Sequence, residues 1–399
     1  MFRVYCRMYQ IALKAASPLL PWRKPIVIKG RNSLMQLPGL LNLRGIHQVL
    51  IVTDRGIMKI GLMEGLLQGL KKERINVTIY DKTVPNPTID NIEEALRVYR
   101  KCHCSAIIGF GGGTAIDCAK GVGARVARPE KLLPQMKGIL KVRRRMPTLF
   151  AVPTTAGSGS EATIASVVTD RNTHEKYAIN DMSLIPNYAI LDPMLTVSMP
   201  GFITATTGMD ALTHAIEAYI GRSNTAETRF YSRRAVSLIF KNLWKAYSDG
   251  SNINARDRML RASYYAGVAF TRAYVGNVHA IAHTLGGFYS IPHGLANAVI
   301  LPYVLEYYGY TVYKPLSELA DLVGIGDADD SIAKKAVMFI KEIKRMNERM
   351  GIPDKIKGID ERDIPLMAHR AFHEANPLYP VPKIFNISEF RLMYYLIKE

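Results

Sequence analysis

Asp210 and His214 stand four residues apart in GMDALTHAIEAY, and His279 and His283 repeat that spacing in VHAIAHTLGGFYSIPHG, where His293 follows Pro292. The 399-residue chain has nine histidines, and four of them fall in this stretch. Met209, Leu212, Ile216 and Tyr219 recur at helical spacing around the first pair, which predicts an amphipathic helix. Residues i and i+4 share one helix face, so the carboxylate and the imidazole enter the same space. Gly286-Gly287 is expected to break the second helix and leave His293 on a returning loop. One carboxylate and up to four imidazoles, from two helices and a loop, make a ligand set for a divalent transition metal. A nitrogen-rich set with one oxygen and no thiolate suits Fe(II) or Zn(II) rather than calcium or magnesium. Glu217, one turn beyond His214, is placed either to orient a ligand from behind or to make a surface ion pair.

Spacing alone is weak evidence, because helical histidine pairs also serve as caps or core residues. His369 and His373 in MAHRAFHEAN have the same spacing with no further ligand nearby, and Arg370 and Glu374 suggest a solvated face there. What sets the 210–293 stretch apart is two pairs combined with a Pro-His-Gly turn. GMDALTHAIEAY followed by VHAIAHTLGGFYSIPHGLANAVILP is similar to the iron-containing (group III) alcohol dehydrogenases. The resemblance implies Asp210, His214, His279 and His293 as metal ligands and His283 as the catalytic, non-ligand histidine beside the nicotinamide. It extends over most of the chain from about residue 25.

The elements that must position these residues come in two kinds. Up to about residue 200, short β-rich runs (HQVLIVT, INVTIY, SAIIGF, TLFAVP, NYAILD) alternate with helical segments such as TIDNIEEALRVYRK and TAIDCAKGVGARV. That alternation predicts a Rossmann-like parallel sheet with ligands at the carboxyl ends of its strands. SAIIGF runs into Gly111-Gly112-Gly113-Thr114 and a helix. Glycines there let backbone amides approach a pyrophosphate at a helix N-terminus, although tight strand–helix packing also calls for glycine. The resemblance makes GGGT-x-x-D, ending on Asp117, the pyrophosphate grip. Asp54, directly after HQVLIVT, can accept from both adenosine ribose hydroxyls and repel a 2′-phosphate, or simply cap a helix. The resemblance favours NAD over NADP. It also carries Thr154, Thr155 and Ser158 of PTTAGSGSEAT to cofactor phosphate and nicotinamide, Lys176 to the ribose, and Asn86 and Leu195 to the cofactor site. ATIASVVTD and KYAIN read as a hairpin across RNTHE. Beyond Pro200 helical periodicity dominates, which predicts an all-helical C-terminal domain. The expected organisation is an N-terminal amphipathic extension (1–24), an α/β dinucleotide-binding domain (25–200) and a helical metal-binding domain (201–399).

Composition narrows the class. The chain is 48% hydrophobic and 22% charged, ordinary for a globular protein, and no apolar run reaches transmembrane length. Four cysteines are too few and too unevenly placed for a disulfide framework, which fits a reducing cytoplasm. Lys14 interrupts the only signal-like run near the N-terminus; an amphipathic helix on the body or on a partner subunit is expected, and together with the resemblance it implies a homodimer or higher homo-oligomer. The formal charge of +18 invites a nucleic-acid reading. Its densest run, Lys141 to Arg145, has no interleaved aromatics, so no specific nucleic-acid partner is expected. Within that class the resemblance implies an NAD-linked, Fe2+-dependent (or Zn2+-dependent) alcohol dehydrogenase or aldehyde reductase. A glycerol-type polyol dehydrogenase, a dehydroquinate synthase-like lyase and a basic non-enzymatic binder are the alternatives.

Overall fold

The computed structural model describes residues 1–399 apart from 172 and 174. The chain forms two compact units, Pro21–Ser198 on one hand and Met1–Leu20 with Met199–Glu399 on the other. Helix α1 (Phe2–Ala16) belongs to the second unit. The first unit runs β1 (Ile26–Lys29), α2 (Leu37–Leu43), β2 (Gln48–Val52), α3 (Arg55–Lys59), α4 (Glu64–Lys72), β3 (Asn76–Tyr80), α5 (Ile89–Lys101), β4 (Ala106–Gly111), α6 (Gly113–Ala127), β5 (Gly138–Ile139), β6 (Thr148–Pro153), β7 (Ala165–Asp170), β8 (Glu175–Asn180) and β9 (Tyr188–Leu191).

The main sheet has the order β1-β9-β6-β4-β2-β3, and every pairing in it is parallel. Its central strands are apolar on both faces because helices cover both. One core cluster contains Leu50, Ile107 and Leu149, and the other contains Ile51, Ile108 and Phe150. The chain leaves β2 for β3 on one side and returns to β4 on the other. That reversal puts a topological switch point between the carboxyl ends of β2 and β4, where open α/β sheets bind ligands. β7 and β8 pair antiparallel as the hairpin reading expected; the connecting RNTHE turn falls partly outside the described residues. Edge strand β1, four residues long and half exposed, has too little apolar pattern to be singled out in the sequence.

The second unit is helical: α7 (Gly201–Ile220), α8 (Ala226–Ser248), α9 (Ile253–Ala273), α10 (Asn277–Tyr289), α11 (His293–Tyr308), α12 (Tyr310–Val323), α13 (Ile332–Arg349), α14 (Ile364–Ala375) and α15 (Ile387–Ile397). α7 is buried nearly throughout its second half. No helix among the described residues is long and apolar enough to cross a membrane. The Gly286-Gly287 pair does not break α10, which continues to Tyr289 and ends at Ser290 in the left-handed region. His293 accordingly lies at the first turn of α11, not in a loop. Close approach of α11 to α7 depends on Gly294, where a Cβ would fall 2.5 Å from the Thr206 carbonyl oxygen.

Candidate active site

Asp210 and His214 on α7, His279 on α10 and His293 on α11 each offer one ligand atom, and these atoms lie within 4.8 Å of one another. Three helices thus bring together the four residues singled out in the sequence. His293 Nε2 is 3.7 Å from Asp210 Oδ1, and the His214 ring stacks on Phe270 at 4.1 Å between centroids. Phe270 is therefore a support for His214.

The donor set fits a divalent cation held by nitrogen and oxygen, and a neighbouring side chain reports the same preference. Asn297 Nδ2 sits 2.7 Å from Asp210 Oδ1, 3.2 Å from His279 Nε2 and 3.1 Å from His293 Nε2. An amide nitrogen carries two hydrogens, yet this one faces three acceptors. Its own Oδ1 is buried without a hydrogen-bond partner among the described residues. Lone pairs therefore converge on one point that draws the electropositive end of a dipole.

Behind the group, Glu217 accepts from the backbone N–H of Gly276 and of Val278, each at 2.9 Å, and lies 2.5 Å from His279 Nδ1. Beside a carboxylate, Nδ1 carries the proton, so Nε2 keeps its lone pair for a metal. Of the two roles open to Glu217, the structure shows the orienting one. His283, one turn beyond His279, stands outside the four-atom group; its ring stacks on that of His293 at 5.1 Å. His369 and His373 are exposed, with their Nε2 atoms 3.1 Å apart, and no third ligand joins them among the described residues.

In the first unit the glycine turn after β4 and Asp54 after β2 flank the switch point. Asp54 Oδ1 accepts from the Ile57 N–H at 3.0 Å and caps α3. Its Oδ2 is 3.6 Å from where a Cβ on Gly111 would stand. A Cβ on Gly113 would lie 2.7 Å from Ser158 Oγ, so glycine there lets the 154–158 turn close over the start of α6. Thr154 joins that turn to Gly111 through its backbone N–H at 3.0 Å. A Cβ on Gly112 would stand 3.4 Å from Thr155 Oγ1. The N-cap residue of α6 is Gly112, which has no side chain to cap it, and no acidic residue lies in the helix's first turn, leaving the helix end electropositive at Gly113 and Thr114. Lys176 donates to Asn86 Oδ1 at 2.9 Å.

Two sequence-derived cofactor residues face inward instead. Asp117 lies in the second turn of α6 and accepts from Ser160 Oγ at 2.5 Å and the Val167 N–H at 3.0 Å. Burial pushes its carboxyl up, against the pull of Lys120. Leu195 is buried in the sheet core. Lys120, fully buried, donates to the carbonyl oxygens of Thr163 and Ala165 and to Thr163 Oγ1. Burial lowers its pKa to about 8 and raises that of buried Glu161 to about 7. Asp117 and Lys120 are struts of the 158–167 loop.

Comparison with known proteins decides the family. Residues 25–193 match the family model for iron-containing alcohol dehydrogenase, and residues 204–389 match the C-terminal model of the same family. A 1,3-propanediol dehydrogenase of Citrobacter freundii is 38% identical over 87% of this chain and 90% of its own length. An NAD-dependent methanol dehydrogenase of Bacillus methanolicus is 34% identical over 88% and 92%, respectively. The solved alcohol dehydrogenase from Oenococcus oeni superposes with a TM-score of 0.90 at 33% identity, covering 94% of this chain and 98% of that one. The chain belongs to the iron-containing alcohol dehydrogenase family.

As an iron-containing alcohol dehydrogenase it is an oxidoreductase acting on CH–OH groups. Two residues that sequence reasoning missed touch its candidate site. Asn297 follows His293 by four residues in HGLANA, so helical spacing could have found it. Glu374 had been read as part of a solvated face. It turns inward to His283 Nδ1 at 2.6 Å, a contact that no spacing rule reveals across that sequence distance. Tyr289, the last residue of α10, donates to Asp363 Oδ2 at 2.7 Å.

Proposed function

We propose that Asp210, His214, His279 and His293 hold one divalent cation, Fe2+ with Zn2+ as the alternative. The reaction it serves is NAD(H)-linked interconversion of a primary or small secondary alcohol with its carbonyl form. The observation that carries this reading is the convergence of the four ligand atoms with Asn297 Nδ2 drawn among them. When bound, such a cation supplies Lewis acidity toward the substrate oxygen, and the nicotinamide supplies or takes the hydride.

The chain's own residues do the rest. Glu217 holds His279 in the tautomer that presents Nε2. His283 is the catalytic histidine: with Nδ1 engaged by Glu374, its Nε2 takes or gives the proton that accompanies alcohol oxidation or carbonyl reduction, and its ring packs beside the nicotinamide. On the nucleotide side, the amides of Gly112, Gly113 and Thr114 receive the pyrophosphate, with Thr154, Thr155 and Ser158 around it. Asp54 takes the ribose hydroxyls and so selects NAD, while Lys176, held by Asn86, meets the nicotinamide ribose. Asp117 and Leu195 support that site from behind. These roles divide the chain into an extension (1–24), a nucleotide domain (25–200) and a metal domain (201–399).

The glycerol-type and lyase alternatives are not favoured, since the relatives are alcohol dehydrogenases and the ligand set has three imidazoles. We further take the enzyme to be a cytoplasmic homodimer in which residues 1–25 contribute contacts. Val4, Met8 and Ile11 on α1 support this, being 62%, 66% and 67% exposed. Light scattering at micromolar concentration tests it, and a monomer refutes it. The activity is tested by a screen of alcohols and aldehydes of graded chain length on metal-reconstituted protein. NADH formation with a simple primary alcohol is expected; turnover only with polyols would overturn the substrate class.

A further inference from the structure

The two α10 histidines that matter to the site, His279 and His283, are each met at Nδ1 by a carboxylate from another helix. For His279 the carboxylate is Glu217 of α7, at 2.5 Å; for His283 it is Glu374 of α14, at 2.6 Å. Only the His279 ring belongs to the four-atom group. We infer that Glu374 is the positioning residue of His283: it does for the proton-handling histidine what Glu217 does for the ligand. The inference rests on the role given to His283 above.

A carboxylate at Nδ1 fixes both the ring's rotation and its tautomer, because Nδ1 then carries the proton and Nε2 keeps the lone pair. Glu374 is itself held. The same Oε1 that meets His283 accepts from the Tyr379 hydroxyl at 2.8 Å. Tyr379 is buried, and burial followed by the Glu374 charge pushes its phenol well up, so it stays a donor. The backbone around Tyr379 is tied in turn to α1. Gln10 Nε2 donates to the carbonyl oxygens of Pro377 and Tyr379 at 3.1 and 2.8 Å. Arg7 donates to those of Val381 and Pro382 at 2.7 and 2.8 Å. A surface ion pair would need none of this support, and the two partners retain only 13% and 25% of their side-chain exposure.

Both bonds end on one oxygen of Glu374, which makes the test specific: glutamine keeps that oxygen as an acceptor and alanine does not. The test uses the full-length, metal-loaded enzyme with His283→Ala, Glu374→Ala, Glu374→Gln and the His283→Ala/Glu374→Ala double variant. Loss of an orienting partner typically reduces activity about 10–100-fold. Glu374→Ala should lower kcat by that factor, leaving alcohol KM, metal stoichiometry and NADH binding (by nicotinamide fluorescence) unchanged. Glu374→Gln should recover most of kcat, and the double variant should be no slower than His283→Ala alone, the signature of residues acting as a unit. Normal kcat in Glu374→Ala beside a slow His283→Ala overturns the inference alone. So does metal loss in Glu374→Ala, or Glu374→Gln as slow as Glu374→Ala. A silent His283→Ala instead removes the role of His283 on which the inference stands.

Discussion

Glu217 Oε2 lies 2.5 Å from His279 Nδ1, and both side chains are only 2% exposed. This carboxylate also takes the Gly276 and Val278 amides at the start of α10, so one side chain orients His279 and caps the helix that carries it.

Removing it should therefore act on metal and on stability together. Glu217→Ala strands three buried donors, each costing about 1–3 kcal/mol, and weakens metal affinity about 10–100-fold. Chelator competition measures the affinity, and urea unfolding of the metal-free protein measures the stability. A variant with wild-type values in both would remove Glu217 from the site.

The ligands should separate from their neighbour by metal content. Imidazoles bind only when neutral, and an incomplete set holds metal weakly. Asp210→Ala, His214→Ala, His279→Ala and His293→Ala should each lose metal along with activity. His283→Ala should keep near-stoichiometric metal while losing about 10²–10⁴-fold in rate. Metal analysis of the five purified variants decides it; if all five keep metal, the site lies elsewhere.

Why some of this was legible and some not follows from what spacing encodes. Asp210 with His214, and the residues around His279, announce themselves because i, i+4 repetition is a local property of helices. The strand-to-turn signals at Asp54 and Gly111–Thr114 are local too, and they fall at the switch point. Glu374 was unreadable: it meets His283 from 91 positions away, and MAHRAFHEAN gives no hint which residues of the helix face inward. The helix-breaking reading of Gly286-Gly287 failed because α10 is buried from Asn277 to Gly286 except at His283. Tertiary packing there outweighs a glycine cost of about 1 kcal/mol per residue. Asp117 was placed at the pyrophosphate by resemblance, and only the fold shows it bonded to Ser160 and Val167.

Nucleotide preference is expected to turn on Asp54. Because Asp54 also caps α3, Asp54→Asn is the better probe: it preserves a cap and removes the charge that repels a 2′-phosphate. The ratio of kcat/KM with NADP to that with NAD should rise by about tenfold, for which about 1.4 kcal/mol suffices. An unchanged ratio in both Asp54→Asn and Asp54→Gly would take the residue out of the ribose site.

The buried Lys120 and Glu161 give the nucleotide unit a pH signature. Glu161, with its folded value raised to about 7, binds a proton in the folded state that the unfolded chain has released. Its contribution is complete below the unfolded value of about 4.3 and is lost as pH rises through about 7. Lys120, lowered to about 8, has the opposite slope, with stability rising from about 8 to the unfolded value of about 10.4. Urea midpoints at about pH 5 and about pH 7.5 should show wild type losing stability across the interval more steeply than Glu161→Gln. Parallel slopes in the two proteins would contradict the assignment.

The last expectation concerns α1. Its inward side carries two polar anchors: Arg7 and Gln10 donate to four carbonyl oxygens of residues 377–382, the stretch that carries Tyr379. Arg7→Ala and Gln10→Ala each leave two carbonyls without those donors, at about 1–3 kcal/mol per buried group left unsatisfied. Both should lower the urea midpoint, and both should slow turnover by loosening Tyr379 and, through it, Glu374. Arg3 supplies the control. Its pair with Glu389, at 3.4 Å with Arg3 61% exposed, is of the kind worth about 0–1 kcal/mol, so Arg3→Ala should change neither stability nor rate appreciably. If Arg7→Ala and Gln10→Ala behave like Arg3→Ala, the helix is an appendage and the Tyr379 segment holds its place without it. If they unfold more easily but turn over normally, α1 stabilises the fold without setting the geometry at Glu374.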